Sequence, residues 1–322
     1  MGFWLNTLTR KMRMPYPVFF GLVALVSYLL GVSVMIGTDN LARFLTQLNW
    51  VFLAVIGAFS GMFVVFIYRK FLDSLDDVKP LVGSEKEFEE LKSQAMQRLS
   101  HWLQWVPVLF WIVVNLVIFL EPTTIIWEFY GSYNQVLLVA IYYQVAALPA
   151  NIFGGIFMYM VPFGVTVAYR DICTKTEFSR DRLLSEWMAP FGGFRNLITL
   201  ALLITGIYSI MVLLTYTDAP SIFPYSSILI MIIPTLVLPH YYFHHLFSHA
   251  RSAQLDDVRQ ELLKIPIEED QDSSRRILLL LEEARIERKR TWLIDIVTAV
   301  EILVVALMHV LLVEILTLVF HI

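Results

Sequence analysis

The sequence predicts an all-α, polytopic membrane protein with seven transmembrane helices. Two observations predict the class. The chain of 322 residues is 57% apolar and only 16% charged, with a mean hydropathy of +0.66, whereas a soluble domain carries about 25% charged residues. The apolar excess is also gathered into long runs, at 15–36, 48–68, 102–120, 135–165, 194–216, 224–247 and 292–320. Each is near or above the ~20 residues that cross a bilayer as a helix. A third observation gives the orientation. Segments 1–14, 69–101, 166–193 and 248–291 hold 22 of the 24 Lys and Arg residues, Arg195 borders the third, and the opposite loops hold only Arg43. The positive-inside rule then puts the N-terminus in the cytosol and, after seven crossings, the C-terminus outside. G-protein-coupled receptors and microbial rhodopsins have the reverse orientation, and a rhodopsin needs a lysine in its last helix, where 291–322 has none.

Taken in order, the first run follows Arg10, Lys11 and Arg13, as a signal peptide would. It exceeds twenty residues and lacks a small-residue cleavage site, so a retained helix is expected. Gly2 is no myristoylation site, because Asn6 stands where Ser or Thr is needed. The fourth run is too long for one upright crossing. Pro149 and Pro162 are expected to kink it, with its lower end projecting from the membrane. Gly154, Gly155 and Gly164 offer small surfaces for helix contact.

The cytosolic segments read as helices. Ser84-Glu85-Lys86-Glu87 is a capping box, after which Phe88, Leu91, Ala95, Leu99 and Trp102 follow at helical spacing straight into the third span. A second helix over 252–264 carries Leu255, Val258 and Leu262; a third over 274–290 carries Ile277, Leu281 and Ala284 on one stripe and continues into the seventh span. The expected layout is a cytosolic segment 1–14, a six-helix bundle 15–247 with helical linkers 69–101 and 166–193, an anchor hairpin 248–291, and a seventh helix 292–322. Two readings of the hairpins stand side by side: stiffening of the cytosolic ends, or a platform joining identical subunits.

Apart from Arg195, the first six runs hold no Asp, Glu, Lys or Arg, while the seventh holds Asp295, Glu301 and Glu314, with His309. A charge at the bilayer centre costs at least ~2.5–3.5 kcal/mol, so such groups face protein or water and mark pathways. Glu301 lies nine residues beyond Trp292, about 14 Å at 1.5 Å per residue, near mid-membrane. Asp295, Thr298, Ile302, Val305, His309, Leu312 and Leu316 share one helical face, with Glu301 on its flank. Repeated around a symmetry axis, that helix would line a pore, wet at its cytosolic half and closed by an aliphatic constriction. Pairing of these groups with Asn115, Gln144 or tyrosines of the same chain is the competing reading.

His240, His244, His245 and His249 have the one-turn spacing of a transition-metal site. They also resemble one histidine box of membrane desaturases, yet only seven histidines exist in the chain, too few for a di-iron centre. An interfacial aromatic-and-imidazole belt is the plainer reading. Trp50, Trp111, Tyr142 and Tyr143, with Asn115, Gln144 and Ser227, could line a pocket for a small apolar ligand, or serve only as packing and interfacial anchors. Cys173 is the only cysteine, which excludes an internal disulfide and any Cys-based zinc or iron–sulfur site. The net charge of −4 leaves no nucleic-acid footprint. Phosphate loops, HExxH and GxSxG are all missing from the sequence.

The whole arrangement resembles the seven-transmembrane ion channels typified by insect odorant and gustatory receptors. The shared features are seven spans, a cytosolic N-terminus, spans four and six running on into cytosolic helices, and a helix over 274–290 leading into the last span. The Thr-Tyr…Gln-Phe motif of that family's last span is missing; Thr298 or Thr317 could stand for its Thr, but no Tyr or Gln follows, so no motif residue carries over. The resemblance implies a homotetramer, a central pore lined by the last span, an anchor of cytosolic helices and an outer-half ligand pocket. The expectation is therefore a multi-pass cell-membrane protein, not an enzyme and without cofactor. It would be an oligomeric, ligand-gated, cation-permeable channel subunit whose partners are its own copies, membrane lipid and a small apolar ligand. A secondary transporter and a metal-dependent membrane enzyme built on the histidine cluster remain as alternatives.

Overall fold

The computed structural model describes residues 3–46, 48–120, 133–176, 178, 188–215, 222–265, 273–289 and 291. Among these, all regular structure is helical; the one β contact is an isolated bridge between Val82 and Phe178. The helices are α1 (Trp4–Lys11), α2 (Tyr16–Gly37), α3 (Leu41–Thr46), α4 (Leu48–Asp77), α5 (Glu85–Leu99), α6 (Trp105–Leu120), α7 (Tyr133–Tyr159), α8 (Thr166–Lys175), α9 (Gly192–Thr215), α10 (Ile222–Lys264) and α11 (Ser273–Glu287). Four stretches are long and apolar enough to cross a membrane: Tyr16–Gly37, Trp50–Leu81, Gln144–Thr174 and Ala189–Tyr208. The protein is thus an all-helical membrane protein. Its exposed surface agrees, since α2, α6 and α7 display Leu25, Leu29, Leu109, Val113, Ile141 and Leu148 outward, an apolar band that suits lipid and not water.

Two buried hydroxyls inside the bundle bond back to their own helices. Ser60 Oγ donates to the Ile56 carbonyl at 2.6 Å, and Thr205 Oγ1 to that of Ala201 at 2.7 Å. In hydrocarbon an unpaired hydroxyl costs several kcal/mol, so these i−4 bonds make the residues tolerable there.

The helix α7 is central, packing against α2, α4 and α6. Two glycines set how closely its neighbours approach. A Cβ added to Gly57 of α4 would lie 2.8 Å from the Ala150 backbone nitrogen of α7. A Cβ on Gly155 of α7 would lie 2.6 Å from the Val108 nitrogen of α6. In both cases backbone meets backbone, which only glycine allows. Gly154 faces the Tyr208 hydroxyl instead, while Gly164 has ordinary contact distances.

Pro149 lies inside α7, and Pro162 lies in a π-helical stretch, Met160–Val165, joining α7 to α8. A proline ring removes one amide donor and clashes with the carbonyl four residues back, and the wider turn absorbs both. The fourth run therefore continues as Gln144–Thr174, past its expected end at 165. The sixth run lies within α10, which carries Pro234 and Pro239 and proceeds without a break to Lys264.

At the end flanked by the basic segments, Phe71, Tyr169, Phe191, Phe194, Phe243 and Phe247 are fully buried against one another. Ring centroids stand 5.1 Å apart for Tyr169–Phe194, 5.3 Å for Tyr169–Phe243 and 5.2 Å for Phe191–Phe247. The cluster joins α4, α8, α9 and α10. It is the main core.

Two expectations need correction. Ser84 does cap α5, its Oγ accepting the Glu87 amide at 3.2 Å, and Phe88, Leu91, Ala95 and Leu99 are buried as expected. The helix does not run into the third span, however: α5 stops at Leu99, a 3₁₀ turn (Trp102–Gln104) intervenes, and Trp102 is 65% exposed. In the hairpin, α11 packs on α10 through Leu279 and Ile286 against Val258, with Leu255, Leu262 and Ile265 around them. The expected stripe of Ile277, Leu281 and Ala284 faces outward. Arg259 of α10 accompanies this register, reaching Glu283 at 2.6 Å and Glu287 at 3.2 Å, residues on the same side as Leu279 and Ile286. The seventh run, 292–320, lies outside the described residues.

Gly155→Val should drive α6 from α7 and cost about 1–3 kcal/mol by overpacking. Gly21→Val, where nothing lies within 4 Å, should leave the thermal unfolding of detergent-solubilised protein unchanged. Equal melting of the two variants would refute the crossing-point role of Gly155.

Candidate functional site

The aromatics predicted to line a ligand pocket separate into different places. Trp50 of α4 and Tyr142 of α7 come together, ring centroids 5.6 Å apart, and Phe44 of α3 stands 5.5 Å from Trp50 and 6.2 Å from Tyr142. Met35 and Val139 complete a cluster whose members are all buried. It is packed solid. Tyr142 lies directly over Gly31 of α2, where a Cβ would collide with its hydroxyl, and that hydroxyl donates to the Ser27 carbonyl at 3.4 Å. Trp111 points elsewhere: its indole N–H donates to Met158 Sδ at 2.8 Å. Gln144 is half-buried on α7. The side chains of Asn115, Tyr143 and Ser227 lie outside the described part of the molecule, as do Asp295, Thr298, Glu301, Ile302, Val305, His309, Leu312 and Leu316.

The open space lies beside the aromatic cluster. A groove of about 360 Å³ runs between α2 and α7, within the ~300–1,000 Å³ typical of small-ligand sites. Its floor is Phe19, Val23 and Val26 of α2, its far wall Val145 and Pro149 of α7, and Tyr142 closes its upper end. Met12 and Met14, in the turn from α1 to α2, form the lower end. That turn is closed by Arg13 in the left-handed region, φ 51°. Sequence reasoning found Tyr142 but not the groove, because a concavity between two lipid-facing helices leaves no compositional mark.

The histidine cluster does not assemble. His240 is buried, His244 half-buried, and His245 and His249 exposed, because Phe243 and Phe247 take the inward face of α10. Among the described residues no group of three or more His, Cys, Asp or Glu side chains is placed to hold a metal ion.

A charged site was missed. Asp171 of α8, only 3% exposed, accepts Arg98 Nε at 3.1 Å on one carboxylate oxygen and Arg170 at 2.9 Å on the other. Tyr159 Oη donates to the Arg98 carbonyl at 3.2 Å. The carboxylate thus fastens α5 to α8 just beyond the π-helical turn. The signal available in sequence was an adjacent Arg170-Asp171 pair just beyond the fourth apolar run, where a buried acid is tolerated only with a cation.

No family model matches the chain, and no curated protein or solved structure matches it. Nothing in these comparisons identifies an odorant-receptor-type channel.

Asp171→Ala should leave two arginines without their acceptor and lower stability by about 1–3 kcal/mol, the range for a charged hydrogen bond removed. Asp171→Asn, which retains the oxygen facing one arginine, should fall between, as read by thermal unfolding in detergent.

Proposed function

We propose that the chain is one subunit of an oligomeric, cation-permeable channel of seven membrane crossings, with the seventh apolar segment lining a shared path. The observation that carries this reading is the contrast among the apolar runs. Six hold no acidic residue, whereas the seventh places Asp295, Glu301 and Glu314 within 292–320. Carboxylates kept in a lipid-spanning segment face water or protein. Asp39, Glu121, Glu128, Asp218 and Glu314 lie at or near the expected outer side against Arg43 alone, and acidic rings concentrate cations at a pore mouth.

The exposed face of α11 supports assembly. Ile277, Leu278, Leu280 and Leu281 are 56%, 66%, 49% and 62% exposed, side by side on a helix flanked by Arg275, Arg276 and Glu282. A row of aliphatic side chains outside the apolar runs is the kind of surface a second copy covers. The α10–α11 hairpin that presents it is held by the Arg259 pairs and by Lys289, whose ammonium donates to Gln254 at 3.2 Å and is held below its ordinary pKa by burial.

In planar bilayers containing the purified protein, Glu301→Gln should lower cation conductance, and Val305→Ser or Leu312→Ser should raise basal opening by wetting the constriction. Reversal potentials in a KCl gradient should move toward the potassium equilibrium value. No current under any condition, or three silent substitutions, would remove the pore assignment.

Assembly has its own measurement. Light scattering should give a mass of about four chains for the unchanged protein, and a smaller mass for Ile277→Glu combined with Leu281→Glu. An unchanged mass in that variant assigns the contact to another surface.

A further inference from the structure

The groove between α2 and α7 ends on a cluster of cations. Arg10 and Lys11 form the last turn of α1 and Arg13 the turn after it, interleaved with Met12 and Met14 of the groove. All three basic side chains are exposed. Among the described residues none of them makes an ion pair, whereas Arg98, Arg170 and Arg259 each reach a carboxylate.

The place of these cations is fixed. Phe3 packs on Tyr68 at 5.2 Å, and Arg69 Nε donates to Asn6 Oδ1 at 2.8 Å, so α1 is fastened to the end of α4. Trp4 stacks on Trp105 at 6.3 Å and 17°, both partly exposed. Tryptophans in that position sit at the level of lipid headgroups. With that tryptophan pair at headgroup level, we infer that the neighbouring cations of α1 reach phosphate depth.

From Met14 to Leu30 the groove follows sixteen residues, about 24 Å at 1.5 Å per residue. Half of a ~30 Å hydrocarbon core is about 15 Å, so a chain from one leaflet fits within that length. The lining is aliphatic and aromatic, and the Tyr142 hydroxyl is turned to the Ser27 carbonyl. An apolar slot with unpaired cations at its interfacial end matches one kind of molecule in the surrounding bilayer. We propose that the groove holds an acyl chain of an anionic glycerophospholipid whose phosphate rests on Arg10, Lys11 and Arg13. Charge decides the headgroup: a zwitterionic lipid supplies the same chain, but its own ammonium competes for the phosphate. The inference does not depend on the channel reading, since binding is measured directly and without current.

Delipidated full-length protein is titrated with dioleoyl phosphatidylglycerol or dioleoyl phosphatidylcholine in detergent, and bound lipid is counted by native mass spectrometry. A basic residue near an anionic surface is worth roughly fivefold in affinity. Phosphatidylglycerol should therefore bind one per chain, at least about tenfold more tightly than phosphatidylcholine. The combined Arg10→Gln, Lys11→Gln and Arg13→Gln variant should bring the two lipids within about twofold. Leu22→Trp with Val26→Trp, both exposed positions of the groove, should weaken both lipids while preserving their ratio. If the pair does not fold, Val26→Trp alone serves. Equal affinity for the two lipids, a preference that survives the triple substitution, or undiminished binding in a filled groove would each overturn the proposal.

Discussion

Everything in this bundle depends on how closely α4 and α6 approach α7. In lipid the apolar faces of helices gain nothing from leaving water, because their surroundings are already apolar. Association rests on close packing and on hydrogen bonds that close approach permits. At Gly57 against the Ala150 nitrogen and at Gly155 against the Val108 nitrogen, backbone of one helix touches backbone of another. On α7 they fall at Ala150 and Gly155, just after Pro149, and so hold in place the part of the helix between Tyr142 and the π-helical turn.

That fixed helix gives the bundle two unlike ends. The end flanked by basic segments is welded by Phe71, Tyr169, Phe191, Phe194, Phe243 and Phe247, all fully buried, and by the Arg98–Asp171–Arg170 site beside them. The other end has a smaller aromatic cluster around Trp50 and Tyr142, next to a groove open to the bilayer. Offset and tilted rings add to the burial they bring. The first end is thus the more extensively buried, and it is the end from which α10 continues into the hairpin with α11.

Where sequence reading failed, the cause is identifiable. Ile277 to Leu281 are five consecutive aliphatic residues, so every helical face contains one and periodicity cannot choose among them. Contact with Val258 of α10 takes Leu279 and Ile286, and the ion pairs of Arg259 with Glu283 and Glu287 lie on that same side. Trp102 continued the spacing of α5, but Ser100 ends that helix by bonding back to the Met96 carbonyl and His101 begins a 3₁₀ turn. The histidine spacing was correct as spacing, yet neighbouring phenylalanines hold the inward positions of α10. Asp171 escaped notice because its partner Arg98 is 73 residues away.

Sequence alone determined the features that solvent and local geometry dictate. Long uncharged runs require a membrane, since lipid is the only solvent that accepts them. Ser84 with Glu87 starts a helix wherever it stands, because capping joins residues three apart. Tertiary structure alone decided which faces meet: that Tyr142 covers Gly31, that Trp111 turns to Met158, that a groove remains between α2 and α7. Those outcomes depend on distances between residues far apart in the chain, and no period in the sequence encodes them, because in a bilayer the buried and the lipid-facing sides of a helix are equally apolar.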